Sequence, residues 1–148
     1  MPLIQTILPL AGKRLVTIQD DSPLVEAARL LSEMSANLVV VCSHNGRMRG
    51  VVTKSDVVKQ ISYCQGCSCT TMVADVMTKD VTACHPDQSL YDVWLIMKEK
   101  GLKQVPITDP TAEPLGLLYA RDALEILIKE AKYEQLLLRD YVMGVGYR

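Results

Sequence analysis

The sequence carries no surplus of either charge: 16 Lys and Arg stand against 17 Asp and Glu, a formal net charge of −1 over 148 residues. No global field therefore gathers nucleic acid or an anionic membrane, and only a local basic pocket is left to hold an anion. Long apolar runs are also missing. None approaches the roughly 20 residues needed to cross a bilayer. Met1 to Leu10 lacks the basic start, the adequate apolar stretch and the cleavage site of a secretory signal. The expectation is a soluble, cytoplasmic protein with neither a membrane nor a nucleic-acid partner. Catalytic signatures are absent as well. There is no P-loop, nucleophile elbow or Gly-rich dinucleotide fingerprint. No residue set offers a nucleophile, a base and an oxyanion donor together, so no enzyme is expected and no cofactor is required. The five cysteines are an odd number, and Cys42 and Cys84 sit in apolar strand-like runs, which favours a reducing compartment over a disulfide framework.

What the chain does have is 49% hydrophobic residues, enough for one ordinary domain or two small halves sharing a core. It also says the same thing twice. Gly50-Val51-Val52-Thr53-Lys54-Ser55-Asp56 returns as Gly116-Leu117-Leu118-Tyr119-Ala120-Arg121-Asp122, an offset of 66 residues. Carried backward without a gap, that offset pairs Leu24, Ala27, Ala28 and Leu31 with Leu90, Val93, Trp94 and Met97, both at amphipathic-helix spacing. It pairs the strand-like runs Leu38 to Val41 and Gln104 to Ile107, and likewise Leu15 to Ile18 and Val81 to Cys84. Identities are sparse (Asp21, Leu24, Glu33, Val39, Gly50 and Asp56 match their partners), so the pattern carries the repeat. His44-Asn45-Gly46 reads as a hairpin turn, with Asp109 to Pro114 in the matching place. The predicted fold class is α/β (α+β): two pseudo-symmetric β-α-β-β-α repeats. About three strands and two helices are too few to stand alone, so the halves are expected to pack sheet to sheet.

Gly50-x-x-Thr53-x-x-Asp56, Asp75-Val76-Met77-Thr78 and Val105-Pro106-Ile107 make the tandem resemble a pair of cystathionine-beta-synthase (CBS) domains, a Bateman module, over roughly Leu8 to Lys129. The expected layout is an N-terminal segment 1–14, a first repeat 15–62, a cysteine-containing linker 63–72, a second repeat 73–129 and a helical extension 130–148. The resemblance implies a non-catalytic regulatory module that binds AMP or a relative such as ATP, NAD or S-adenosylmethionine between its repeats. It also implies a homodimer and a regulated protein partner not identifiable from sequence. It places ribose and phosphate contacts on Asp56 and Thr53, with Thr82, Leu102, Lys103, Asn37 and Leu38 completing the cleft. The chemistry agrees: an ionised Asp accepts from vicinal hydroxyls, the N–H groups and hydroxyls of Thr53 and Ser55 meet phosphate at a helix start, and Val51 offers an apolar wall for adenine. A weaker pseudo-symmetric site maps onto Val16, Ala36, Asn37, Leu117, Tyr119, Arg121 and Asp122. There Tyr119 replaces the expected hydroxyl residue, and it either fills the slot, stacks on a base or abolishes binding. The competing reading of Thr53 and Asp56 is a ligand-free capping box, against which the short Asp side chain counts.

Outside the repeat, Cys64, Cys67 and Cys69 offer three soft ligands or a redox pair, the alternative being a redox or metal sensor or an incidental spacing. His44 and His85 are expected at surface or capping positions, and Trp94 and Met97 in the core. From Ala123 to Tyr141 runs a helix whose stripe of Leu124, Leu127, Ile128 and Ala131 is expected to dock on the module or a second copy; Leu136 to Leu138 and Tyr141 extend it toward the dimer contact, the alternative being a partner-binding helix.

Overall fold

The computed structural model describes residues 2–63 and 71–146, with side chains to 139. The linker cysteines Cys64, Cys67 and Cys69 and the side chain of Tyr141 lie outside the described residues. In chain order the elements are α1 (Ile4–Arg14), β1 (Thr17–Gln19), α2 (Leu24–Glu33), β2 (Leu38–Cys42), β3 (Met48–Thr53) and α3 (Lys54–Tyr63). They continue as α4 (Val73–Val76), α5 (Leu90–Lys100), β4 (Gln104–Thr108), β5 (Pro114–Tyr119) and α6 (Ala120–Gly146).

The 66-residue offset reappears in the hydrogen-bonded ladders. Leu38 faces Thr53 and Val41 faces Gly50 in the first antiparallel pair; Gln104 faces Tyr119 and Ile107 faces Gly116 in the second. Even the register shift recurs, between Val41 and Cys42 and between Ile107 and Thr108. Strand β2 is buried at every position. Val39 and Val41 turn to the helices of their own half, while Leu38, Val40 and Cys42 turn to Val51 and to Leu117 of the other half, where the two sheets meet. Successive strand residues point to opposite faces, so a strand covered on both sides has no room for the polar alternation of a half-exposed one.

The expected strand Val81–Cys84 shrinks to a single parallel bridge, Cys84 to Ile107. Two prolines account for this. In the first half Val40 N–H donates to Val16 and Asp20 N–H to Cys42. The equivalents of those donors are Pro106 and Pro86, which have no N–H. The orphaned Thr108 carbonyl is met instead by His85 Nδ1 at 2.9 Å, so that nitrogen carries the proton. Two other expectations need correction. Trp94 is only partly buried, stacked at 6.5 Å on Tyr91 with the Lys98 ammonium 5.4 Å from its ring, whereas Met97 is fully buried. On α6 the docked residues are Ala123, Ile126 and Leu127, while Leu124 and Ile128 are exposed. The helix starts straight out of β5, which turns Ala123, the equivalent of buried Val57, onto the sheet.

Neither half completes its own core. Ile4, Ile7 and Ala11 of α1 pack among Leu90, Val93, Met97 and Ile107 of the second half, and Val73 and Met77 pack among Leu24, Ala27 and Val52 of the first. The exchange is itself symmetric. Leu24 N–H donates to Thr71 and Val73 N–H to Ser22; Leu90 N–H donates to Pro2 and Ile4 N–H to Gln88. Helix α1 shows the i, i+3, i+4, i+7 spacing at Ile4, Ile7, Leu8 and Ala11, disguised by Pro9, whose exposed position leaves the carbonyl it orphans to water. Each crossing segment passes over a glycine. A Cβ on Gly50 would stand 2.6 Å from the Thr78 carbonyl oxygen, and one on Gly116 would stand 2.9 Å from Ala11. Both are backbone neighbours that cannot swing away.

Gly50→Ala and Gly116→Ala are each expected to lose about 1–3 kcal/mol of stability through overpacking. Gly12→Ala, in a helix with its nearest outside atom at an ordinary 3.7 Å, is expected to gain about 0.5–1 kcal/mol. Urea unfolding of the three variants checks the ranking.

Candidate functional site

The larger cleft lies between the halves and encloses about 570 Å³. The first half contributes Asn37, Leu38, Val51, Thr53, Lys54 and Ser55; the second contributes Thr82, Leu102 and Lys103. Eight of the nine residues expected from sequence thus stand together; Asp56 does not line the cleft. Sequence reasoning missed Lys54, Thr78, Asp80, Val81, Gly101, Gln104 and Pro106. The signal for Thr78 was present in the Asp75-Val76-Met77-Thr78 motif. Thr78 reaches the cleft because its N–H and C=O pair with Val51 at 2.8 and 3.0 Å, adding one bridge to the edge of β3. Gly101 ends α5 in the left-handed conformation at φ +69°, which turns the chain from helix into the cleft wall. Thr82, released from a strand by Pro106, accepts from Lys100 Nζ at 3.2 Å.

At the start of α3 the reciprocal cap is formed. Asp56 N–H donates to Thr53 Oγ1 at 3.2 Å, and Thr53 N–H donates to Asp56 Oδ2 at 2.9 Å. Contrary to the expectation from its short side chain, Asp completes this cap: with the N-cap N–H as its target, the carboxylate reaches. Only one carboxylate oxygen is used. Among the described residues Oδ1 of Asp56 has no partner, nor has the hydroxyl of Ser55 in the first turn. Lys54 and Lys103 bring two cations to the cleft and Asp80 one anion.

The pseudo-symmetric cleft differs. Tyr119 has no Oγ for the Asp122 N–H, and the Asp122 carboxylate is held by Arg14 of α1, with Nε to Oδ2 at 2.7 Å and Nη2 to Oδ1 at 3.1 Å. The Arg14 guanidinium also lies 4.5 Å from the Tyr119 ring centroid, with that of Arg121 at 5.5 Å. Hydrogen bonding to Asp122 raises the Arg14 pKa above its ordinary value, keeping the cation charged. Of the residues expected here, Asn37, Tyr119 and Arg121 line a cavity of about 490 Å³, and Val16, Ala36 and Tyr119 line a separate one of about 220 Å³. Leu117 is fully buried where the sheets meet and lines neither cavity, because its β5 position points inward. Asp122 lines neither, being 7% exposed beneath Arg14.

Other reactive groups are already engaged. Asp20, Asp21 and His44 place ligand atoms within 4.8 Å of one another, but Arg49 binds Asp20 at 2.7 Å and His44 Nε2 lies 3.1 Å from Asp21. Burial pushes the Cys84 thiol up to about 12. Burial, aided by Asp20 and Glu113, also raises that of Cys42.

A family model of the CBS domain matches residues 10–63 and 73–129. The chain is 29% identical over 119 residues to a homoserine O-acetyltransferase of Methanocorpusculum labreanum, covering 77% of this chain and 23% of that protein. It spans less than half the length of that and two other curated relatives. Its fold matches a CBS-domain protein of Agrobacterium tumefaciens with TM-score 0.72 at 25% identity, over 84% of this chain and 98% of the other. It also matches the CBS domain pair of protein MJ0100, in complex with 5′-methylthioadenosine and S-adenosyl-L-methionine, with TM-score 0.73 at 21% identity over 88% and 98%. Among the described residues no helix is long and apolar enough to cross a membrane.

A thiol whose pKa is raised presents little thiolate, the reacting form. In native protein at about pH 8, Cys42 and Cys84 are expected to stay unmodified by a water-soluble disulfide reagent while the label is mapped by mass spectrometry. Both should react once the protein is unfolded in urea; fast labelling of either in the native state would contradict the burial argument.

Proposed function

The chain belongs to the CBS-domain family, and on that premise we propose that it is a regulatory module holding an adenine nucleotide in the cleft between its repeats and passing occupancy to a protein partner. The observation that carries this reading is the two-sided construction of the larger cleft. A capped helix start with Thr53 and Ser55 faces Thr82 and Lys103 of the other repeat, between apolar walls of Leu38, Val51, Val81 and Pro106. Donors at a helix start suit phosphate and the apolar walls suit adenine. Asp56 stands one residue beyond the lining residue Ser55, and its Oδ1, not used in the cap, is proposed to turn to the ribose hydroxyls when the ligand binds. Lys54 and Lys103 outnumber Asp80, which favours an anionic tail: an AMP-like ligand, or ATP or NAD, over the cationic S-adenosylmethionine. The complex of a structural relative, the CBS domain pair of MJ0100, with 5′-methylthioadenosine and S-adenosyl-L-methionine supports the class of ligand. Because the ligand touches both repeats, its unequal affinity for two packings of the halves supplies the signal. No chemistry is required of the module; the enzymes among its relatives carry it as a minor part of their length.

The module is further proposed to pair with a second copy. Val25 and its repeat equivalent Tyr91 are exposed, as are Val58 and its equivalent Leu124, leaving like apolar positions on α2 and α3 and on α5 and α6. Two such faces related by the repeat suit a symmetric, self-complementary contact. Light scattering at micromolar concentration is expected to give twice the chain mass; a monomer would refute the pairing.

Thermal shift with AMP, ATP, NAD and S-adenosylmethionine tests the ligand class. A ligand at 100 times its Kd adds about 2.7 kcal/mol to the folded state, several degrees of Tm. Asp56→Asn keeps an acceptor for the Thr53 N–H, so its ligand-free Tm should barely move while most of the increment from the best ligand disappears. Thr53→Ala removes the cap hydroxyl and should cost about 1 kcal/mol without ligand. Full retention of the increment in Asp56→Asn would show that Asp56 caps the helix and does not hold the ribose.

A further inference from the structure

The two clefts come from one repeated pattern, yet they meet different crossing segments. Over the first passes residues 77–78, which add a backbone bridge at Val51 and leave the helix start open. Over the second passes α1, and its last helical residue, Arg14, reaches the helix start of α6.

Resting on the proposed role of the first cleft, we infer that Arg14 is a built-in occupant of the second cleft, and that this one side chain, more than the repeat sequence, decides that the second cleft refuses an adenosyl ligand. Three observations support it. Asp56 spends one carboxylate oxygen on a backbone N–H, whereas both oxygens of Asp122 are taken by the Arg14 fork. A ribose diol brings neutral donors and would have to displace a charge-assisted, bidentate pair that is stronger than what it offers. Arg14 also covers the Tyr119 ring, the surface on which a base would stack. Arg14 lines both the cavity of about 490 Å³ and that of about 220 Å³, together with Ser35 and Tyr119, so it stands between them.

The arginine is held in place by the fold. Ala11 of α1 packs directly over Gly116, and Arg14 sits in the last turn of its helix, where a cation is favoured by the helix dipole. Removing the guanidinium opens space between the two cavities and bares a carboxylate on a first helical turn, the same element that the proposed first site uses. Tyr119 stays, and the ring surface that Arg14 covered becomes a stacking surface, with Arg121 still 5.5 Å from the ring centroid. The adenosyl class is therefore the ligand expected to enter.

Isothermal titration calorimetry with AMP and with ATP tests this, each protein being checked by circular dichroism. The wild type is expected to bind one molecule per chain and Arg14→Ala two. The double variant Arg14→Ala/Asp122→Asn should return to one, through the first cleft; Arg14→Ala/Asp56→Asn should also bind one, through the second. Should Arg14→Ala not fold, Arg14→Gln keeps a donor to Asp122 without the charge or the fork and is expected to show a second, weaker site. Two sites in the wild type, or one site in folded Arg14→Ala or Arg14→Gln, would overturn the inference and leave the first-cleft reading intact. No binding by the wild type with one site gained in Arg14→Ala would overturn the first-cleft reading and leave the role of Arg14 standing. No binding by either would overturn both.

Discussion

Each half of this molecule is short of one layer of side chains, and the layer is supplied by the segment that leads into the other half. What separates the two clefts follows largely from that exchange. It requires a glycine wherever a segment crosses a strand, since backbone meets backbone at Gly50 and Gly116 with no space for a methyl group. It ties the halves together through two cores, besides the sheet-to-sheet contact around Val40 and Leu117. And it carries side chains from one half to the helix start of the other: Thr78 and Asp80 at the first cleft, Arg14 at the second.

The identity of Gly50 with Gly116 thus has a steric cause, while that of Asp56 with Asp122 conceals two different uses. Asp56 closes a cap with Thr53. Asp122 has no hydroxyl partner at position 119 and instead neutralises an arginine from a distant element. The same residue at the same repeat position serves local helix geometry in one half and long-range anchoring of α1 in the other. A residue match within a repeat fixes backbone place, and the neighbours brought by the rest of the chain decide chemistry.

That distinction also separates what was legible in the sequence from what was not. The register of both ladders followed from Gly50 to Asp56 and their 66-residue echo, because period, burial and turn length are local properties. The shortened strand at Cys84 was readable in principle from Pro86 and Pro106, whose missing donors fall at ladder positions. Helix α1 was hidden by Pro9, an interior proline that its exposed face tolerates. Arg14 beside Asp122 was not legible, since the two are 108 residues apart and nothing in the local pattern marks a salt bridge made by exchange. The cleft residues Gly101 and Gln104 were missed for a related reason: they enter through the path of the chain after α5 and carry no side-chain signature of a site.

The choice between a cap and a ligand contact at Thr53 and Asp56 is less exclusive than the sequence suggests. A cap uses one oxygen of each side chain in a fixed geometry before any ligand arrives. Side chains that are already ordered pay little rotamer entropy on binding, so a formed cap lowers the cost of the proposed contact. The two roles would compete only if the ligand needed Oδ2, and Oδ1 is on the same carboxylate. At Asp122 the corresponding preorganisation is complete, but directed at Arg14. A polar group held ready is selective only for what can improve on its present partner, and under the proposed function a ribose would improve on water at Asp56 but not on a guanidinium at Asp122.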